Sequence, residues 1–211
     1  MAEFDLNNMN DLYFDALREI GNIGAGNAAS ALSSMIDSKV DMKVPRVELL
    51  DFKEIGEAMG GEETVMAGML LGIEGDLTGS IMFLLEEKSA HILVGKFMSH
   101  MGMPVGTGNE GEFNEMEQSV LKEISNIMTG AYLNSLASFT NMTILPTVPA
   151  LAVDMAEAIL SVPAIQFGMV GDRMLLIQTA FTGDEALNGF FILVPDMPSY
   201  GKLLSALGVM Q

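Results

Sequence analysis

Asp15-Ala-Leu-Arg-Glu19-Ile-Gly-Asn22-Ile-Gly-Ala-Gly26-Asn27 is written a second time, in altered form, as Ser119-Val-Leu-Lys-Glu123-Ile-Ser-Asn126-Ile-Met-Thr-Gly130-Ala131. Asp15 and Ser119, Glu19 and Glu123, Asn22 and Asn126, and Gly26 and Gly130 are each 104 positions apart, and Pro45 and Pro149 keep the same offset. A register held over that length implies a duplicated unit rather than two helices of similar composition.

At about 100° per residue, Asp15, Glu19, Asn22 and Gly26 fall on one narrow helical stripe, as do Ser119, Glu123, Asn126 and Gly130. A second stripe in each copy is apolar or small: Leu17, Ile20, Gly21, Gly24, Ala28, Ala31, Leu32 and Met35, then Leu121, Ile124, Ser125, Met128, Tyr132, Ser135, Leu136 and Phe139. Each helix therefore has a wall to bury and a polar face, and Glu19, Asn22, Glu123 and Asn126 are all expected to be exposed. A polar face alone is the ordinary property of a solvated helix. Repeating an acid, an amide and a fixed distance to a later proline is not, because solvent demands none of them.

The pattern [Asp/Ser]-x3-Glu-x2-Asn-x22-Pro, satisfied by Asp15, Glu19, Asn22 and Pro45 and again by Ser119, Glu123, Asn126 and Pro149, resembles that of the CheC, CheX and FliY family of chemotaxis phosphatases. The resemblance spans nearly the whole chain. Its length, its duplication and its lack of an extra C-terminal domain bring it nearest to the CheC members.

Composition narrows the possibilities independently. A chain of 211 residues can bury a sizeable core without staples, on the order of 70% of its unfolded surface. Cysteine is absent, so there is no disulfide, thiolate metal site or cysteine nucleophile, which fits a reducing cytoplasm. His91 and His100 are the two histidines, too few for a histidine-built zinc site. The first residues lack a basic segment followed by an apolar run, so no signal peptide is expected, and no apolar stretch is long enough to span a membrane. With 28 acidic against 10 basic residues and a net charge of −18, nucleic acid and anionic lipid are poor ligands and a partner with a basic patch is favoured.

In chain order, a loose arm over 1–10 precedes a helix from about Asp11, capped by Asn10 or Asp11, to Ile36. Gly21, Gly24 and Gly26 inside it each cost about 1 kcal/mol against alanine. Gly21 and Gly24 suit close packing, whereas Gly26 suits either packing or the approach of another protein's backbone. Val40 to Val44 alternates as a strand ending at Pro45, with a second strand from Val47 to Asp51. Lys53 to Met59 reads as a short helix, Thr64 to Glu74 with Thr78 to Leu85 as a hairpin, and Glu87 to His100 as a helix.

After a glycine- and proline-punctuated linker at 102–111, the order repeats. A helix runs from about Asn114 to Phe139, with strands at Met142 to Ile144 and Leu151 to Met155, a strand-like run from Ser161 to Gly168, and a strong strand from Met174 to Phe181. A turn at Asp184 to Leu187, a strand from Gly189 to Val194 and a helix from Pro198 to Leu207 close the chain. Gly189 is read as the counterpart of Gly79. The expected fold is α+β: a first repeat at 11–101 and a second at 112–211 forming a single domain, related by a pseudo-twofold, with one continuous, mainly antiparallel sheet and helices on its face. The methionines sit largely at core periods, Met101 and Met103 excepted.

A self-contained phosphatase needs a metal site, a strong nucleophile or a cluster of cations, and the sequence displays none. Glu19 with Glu123 could instead form a carboxylate pair. The resemblance implies another arrangement, in which the substrate is a phosphorylated CheY-type response regulator that itself carries Mg²⁺ and a lysine. Glu19 and Glu123 then anchor that lysine, and Asn22 and Asn126 orient the attacking water. Asp15 and Ser119 support the site through local hydrogen bonds or helix-entry contacts, Pro45 and Pro149 support it structurally, and Gly26 and Gly130 complete the supporting set. The resemblance further implies the deamidase CheD as a partner and a cytoplasmic location. The alternative is a non-catalytic adaptor that binds CheY, CheD or a flagellar switch component.

Overall fold

The computed structural model describes residues 11–37, 39–104, 112–167, 173–182 and 187–208. The arm at 1–10 with Asn10, most of the linker, Gly168 and most of the Asp184 to Leu187 turn lie outside them.

The first half runs α1 (Asp11–Ile36), β1 (Asp41–Asp51), α2 (Phe52–Ala58), β2 (Val65–Gly75), β3 (Gly79–Glu86) and α3 (Glu87–His100). The second runs α4 (Glu115–Thr140), β4 (Ile144–Pro146), β5 (Ala150–Met155), α5 (Ala156–Phe167), β6 (Arg173–Thr182), β7 (Leu187–Pro195) and α6 (Met197–Ala206). All strands join one antiparallel sheet in the order β1-β6-β7-β3-β2-β4, with β5 also on β2. That order reads the same from either end once β4 and β5 together are matched to β1. Phe83 opposes Phe191 where β3 meets β7, at the centre of the palindrome, and their rings stack at 4.9 Å.

The registers confirm the repeat residue by residue. β1 pairs β6 with a shift between Lys43 and Arg46, at Pro45. The partners of β2 break at the same place, between β4 and β5, where Pro149 sits. Val47 to Asp51 is therefore not a separate strand: a bulge lets one extra residue pass without ending the ladder, and β1 continues through Pro45. The offset is still 104 where α2 and α5 begin, at Phe52 and Ala156, and is 108 from β2 onward, as from Val65 to Arg173 and from Gly79 to Leu187. Leu187, not Gly189, is thus the counterpart of Gly79. Gly79 itself has φ of 141°, and a Cβ there would lie 2.3 Å from the Val194 carbonyl oxygen, so a side chain is excluded.

The main core lies between one face of the sheet and α1, α3, α4 and α6. On the opposite face Ile55 of α2 and Met59 at its C-terminal cap, with Ala156, Ile159 and Leu160 of α5, cover Met66, Met82, Leu84, Leu176, Phe190 and Ile192. Ser161 to Phe167, expected to be extended, belongs to α5. It continues the helix whose Ala156, Ile159 and Leu160 lie on this second core, and an apolar run does not declare its period.

Candidate functional site

The long helices α1 and α4 pack against each other through the stripes the sequence marks as apolar. Leu17, Ile20, Ala28, Leu32, Leu121, Ile124, Met128, Tyr132 and Leu136 are buried. Phe139 is half exposed instead, because in the last turn of α4 Thr140 turns inward and its hydroxyl donates to the Leu136 carbonyl at 2.7 Å. At the crossing a Cβ on Gly24 would stand 3.0 Å from the Tyr132 Cα, so this glycine is a packing requirement. Asn114 begins α4 with a capping box, accepting from the Met116 and Glu117 N–H groups while the Glu117 carboxylate accepts from the Asn114 N–H.

On the outward faces Asp15, Glu19, Ser119, Glu123 and Asn126 are exposed. Asp15 accepts from the Arg18 guanidinium at 2.7 Å, and the Ser119 hydroxyl donates to the Glu115 carbonyl at 2.9 Å. Both contacts stay within the helix. Among the described residues the structure records no side-chain hydrogen bond or ion pair for Glu19, Glu123 or Asn126, so the two carboxylates do not form a pair with each other. Gly26 is exposed and Gly130 half-buried, and a Cβ at either would meet nothing within 4 Å. Packing within the chain explains Gly21 and Gly24 but leaves Gly26 and Gly130 unexplained.

Asn22 departs from the expected exposure. It is half-buried, and its Oδ1 accepts the Val44 N–H at 2.9 Å, tying α1 to the bulge before Pro45. Because the donor is a backbone amide, the oxygen end of the carboxamide must be the one facing the strand. Val44 is 2% exposed, and a Cβ built on Gly21 would lie 3.3 Å from Val44 Cγ2. The second copy has Ser125 where the first has Gly21. The Ser125 side chain is fully buried, its hydroxyl without a hydrogen-bond partner among the described residues, and the residue matching Val44, Val148, is 86% exposed. Thr147 holds the bulge to β2 instead, accepting from the Gly72 N–H and donating its own N–H to the Gly72 carbonyl, both at 2.9 Å. Pro149 is buried beside it.

Chemically, each stripe offers a solvated carboxylate one helical turn from a carboxamide. That pair can hold a cation and orient a polar ligand; it holds no strong nucleophile. Among the described residues no group of three or more His, Asp or Glu side chains is placed to bind a metal ion. An open groove lined by Gly26, Ser30, Ser33, Lys39, Asp41 and Lys43 adjoins the first stripe. Sequence reasoning found the stripes but missed Val44 as the partner of Asn22. The available signal was the replacement of Gly21 by Ser125 beside otherwise matching motifs.

Comparison with known proteins follows the same lines. The model of the CheC-like family matches residues 14–49 and 116–153, the two stretches that contain the motifs. The CheY-P phosphatase CheC of Bacillus subtilis is 33% identical over 205 residues, covering 96% of this chain and 97% of the relative. Among solved structures, Thermotoga maritima FliY superposes with a TM-score of 0.74 at 20% identity, over 97% of this chain and 100% of that one. The CheX-CheY-BeF3-Mg²⁺ complex of Borrelia burgdorferi gives a TM-score of 0.50 at 17% identity, over 82% of this chain and 96% of that one. These last two are similarities of fold.

Proposed function

Because this chain belongs to the CheC-like family, we propose that it is a phosphatase for the aspartyl phosphate of a CheY-type response regulator. The relative similar over nearly its whole length is named a CheY-P phosphatase, and the observation that carries the reading to particular residues is the Glu-x2-Asn pair repeated on α1 and α4 with both carboxylates exposed. In this reading Glu19 and Glu123 bind a lysine beside the regulator's phosphoryl group, and Asn22 and Asn126 place the water in line for attack. A carboxamide suits that task because it accepts from water and donates elsewhere without adding negative charge beside a phosphoryl group. Mg²⁺ comes with the regulator, so the phosphatase contributes geometry rather than a metal.

Asp15 and Ser119 stiffen the helix around each site, Pro45 and Pro149 fix the bulges, and Gly26 and Gly130 leave room for the regulator's backbone. We place the reaction in the cytoplasm and take CheD as a second partner; among the described residues no helix is long and apolar enough to cross a membrane. The test is the decay of radiolabelled aspartyl phosphate on a CheY-type regulator in Mg²⁺, with and without this protein. The proposal predicts substoichiometric acceleration. Stoichiometric binding without acceleration would replace the phosphatase with an adaptor.

A further inference from the structure

We infer that the two sites are unequal catalysts and that the residue pair Gly21 and Ser125 decides which one is fast. The inference rests on the phosphatase reading and deepens it. In the first copy the missing side chain at Gly21 lets Val44 seat against α1, 3.3 Å from where a Cβ would be. Seated there, its N–H occupies the Asn22 Oδ1 at 2.9 Å. The oxygen that must accept from the attacking water thus faces the strand of its own protein, and the carboxamide is held away from the rotamers a docked regulator would select.

The second copy has the same bulge in the same place. There a buried Ser125 stands at the position of Gly21, Val148 is turned out to 86% exposure, and no bond to the Asn126 side chain is recorded among the described residues. The α4 carboxamide is free to turn toward a ligand; the α1 carboxamide has first to release Val44. Position 21 or 125 acts through Val44 or Val148 and touches no substrate, so these are positioning residues.

Two site-isolating variants of the full chain test this, with kcat and KM measured on the phosphorylated regulator. Glu19→Ala disables the α1 site and is expected to lower kcat by that site's share, about a tenth. Glu123→Ala leaves the α1 site and is expected to show a kcat about tenfold lower, in the range that displacing a positioning group produces. Adding Gly21→Ser to Glu123→Ala should then raise kcat by about threefold or more, with KM little changed, because the added side chain crowds the Val44 methyl that a Cβ would meet at 3.3 Å and loosens its N–H bond to Asn22.

Amide hydrogen exchange on the wild type gives a readout that needs no variant: the Val44 N–H should be protected and the Val148 N–H should exchange rapidly. Equal kcat for the two site-isolated proteins, or a Val44 amide exchanging as fast as that of Val148, would overturn the inference. A wild-type protein that fails to shorten the phosphoryl lifetime would overturn the phosphatase reading itself, and the wild-type control separates that result from the others.

Discussion

Replacing Asn22 by alanine leaves the Val44 N–H without its acceptor at a bulge where Val44 is buried. A stranded amide of this kind costs about 1–3 kcal/mol. Asn126→Ala removes a side chain with no recorded bond and should stay within about 0.5 kcal/mol of wild type. Urea denaturation of the two single variants checks the contrast; equal midpoints would show that the Val44 bond contributes nothing. The difference was half legible in the sequence. Spacing places Asn22 on the stripe of Asp15 and Glu19 and registers that Gly21 has become Ser125, but periodicity reports only which face a residue shares. It cannot show that a side chain folds back onto a strand 22 residues later. That depends on whether Val44 finds room, which is a packing question.

At the scale of elements, the glycines of α1 and α4 divide by what surrounds them. Gly26→Ala and Gly130→Ala place a methyl group in open space, so each should stabilise the free protein by about 1 kcal/mol through helix propensity. If these glycines admit the regulator's backbone, the same variants should raise KM. Thermal melts and steady-state kinetics on each variant decide the matter, and a stabilised protein with unchanged KM would assign them no role in binding.

The start of α6 gives a pH prediction. Asp196 caps this helix, accepting from the Ser199 N–H at 2.9 Å and from the Thr78 hydroxyl. Partial burial works to raise its pKa, but the bonds from Thr78 and Ser199 and the nearby Lys202 charge outweigh it and hold the carboxyl below 3.8. Because the folded value is the lower one, the contribution is complete above the unfolded value and is lost as pH falls through the folded value. Asp196→Ala should therefore cost about 0.5–2 kcal/mol at neutral pH, as loss of an N-cap does, and the gap to wild type should narrow below pH 3.8. Denaturant midpoints across pH test both parts. The helices with clear 3.6-residue periodicity and the β2–β3 hairpin were legible in advance. The Ser161 to Phe167 stretch was not, since it continues α5, whose Ala156, Ile159 and Leu160 are held on the second core by tertiary contacts.

For the whole molecule, the 104-residue offset of the motifs announced the duplication, and the sheet completes it. β3 of one half pairs with β7 of the other, β6 of the second half carries β1 of the first, and β2 carries β4 and β5. Neither half closes its own sheet, so calorimetry should show one cooperative transition whose calorimetric and van't Hoff enthalpies agree. Two resolved transitions would mean that the halves are independent domains. The sequence could not reveal this exchange of edge strands, because a repeat specifies like units without specifying how they pair.

The same symmetry sets a Glu and Asn stripe on each of α1 and α4, with both carboxylates exposed, and the central claim is that the amides carry the hydrolysis. The most direct measurement is the rate of regulator dephosphorylation, against regulator concentration, for wild type and for the Asn22→Ala, Asn126→Ala double variant, each shown by circular dichroism to be folded. The account predicts a loss of kcat of about a hundredfold, as misplacement of a positioning group produces. A folded double variant that hydrolysed as fast as wild type would contradict it.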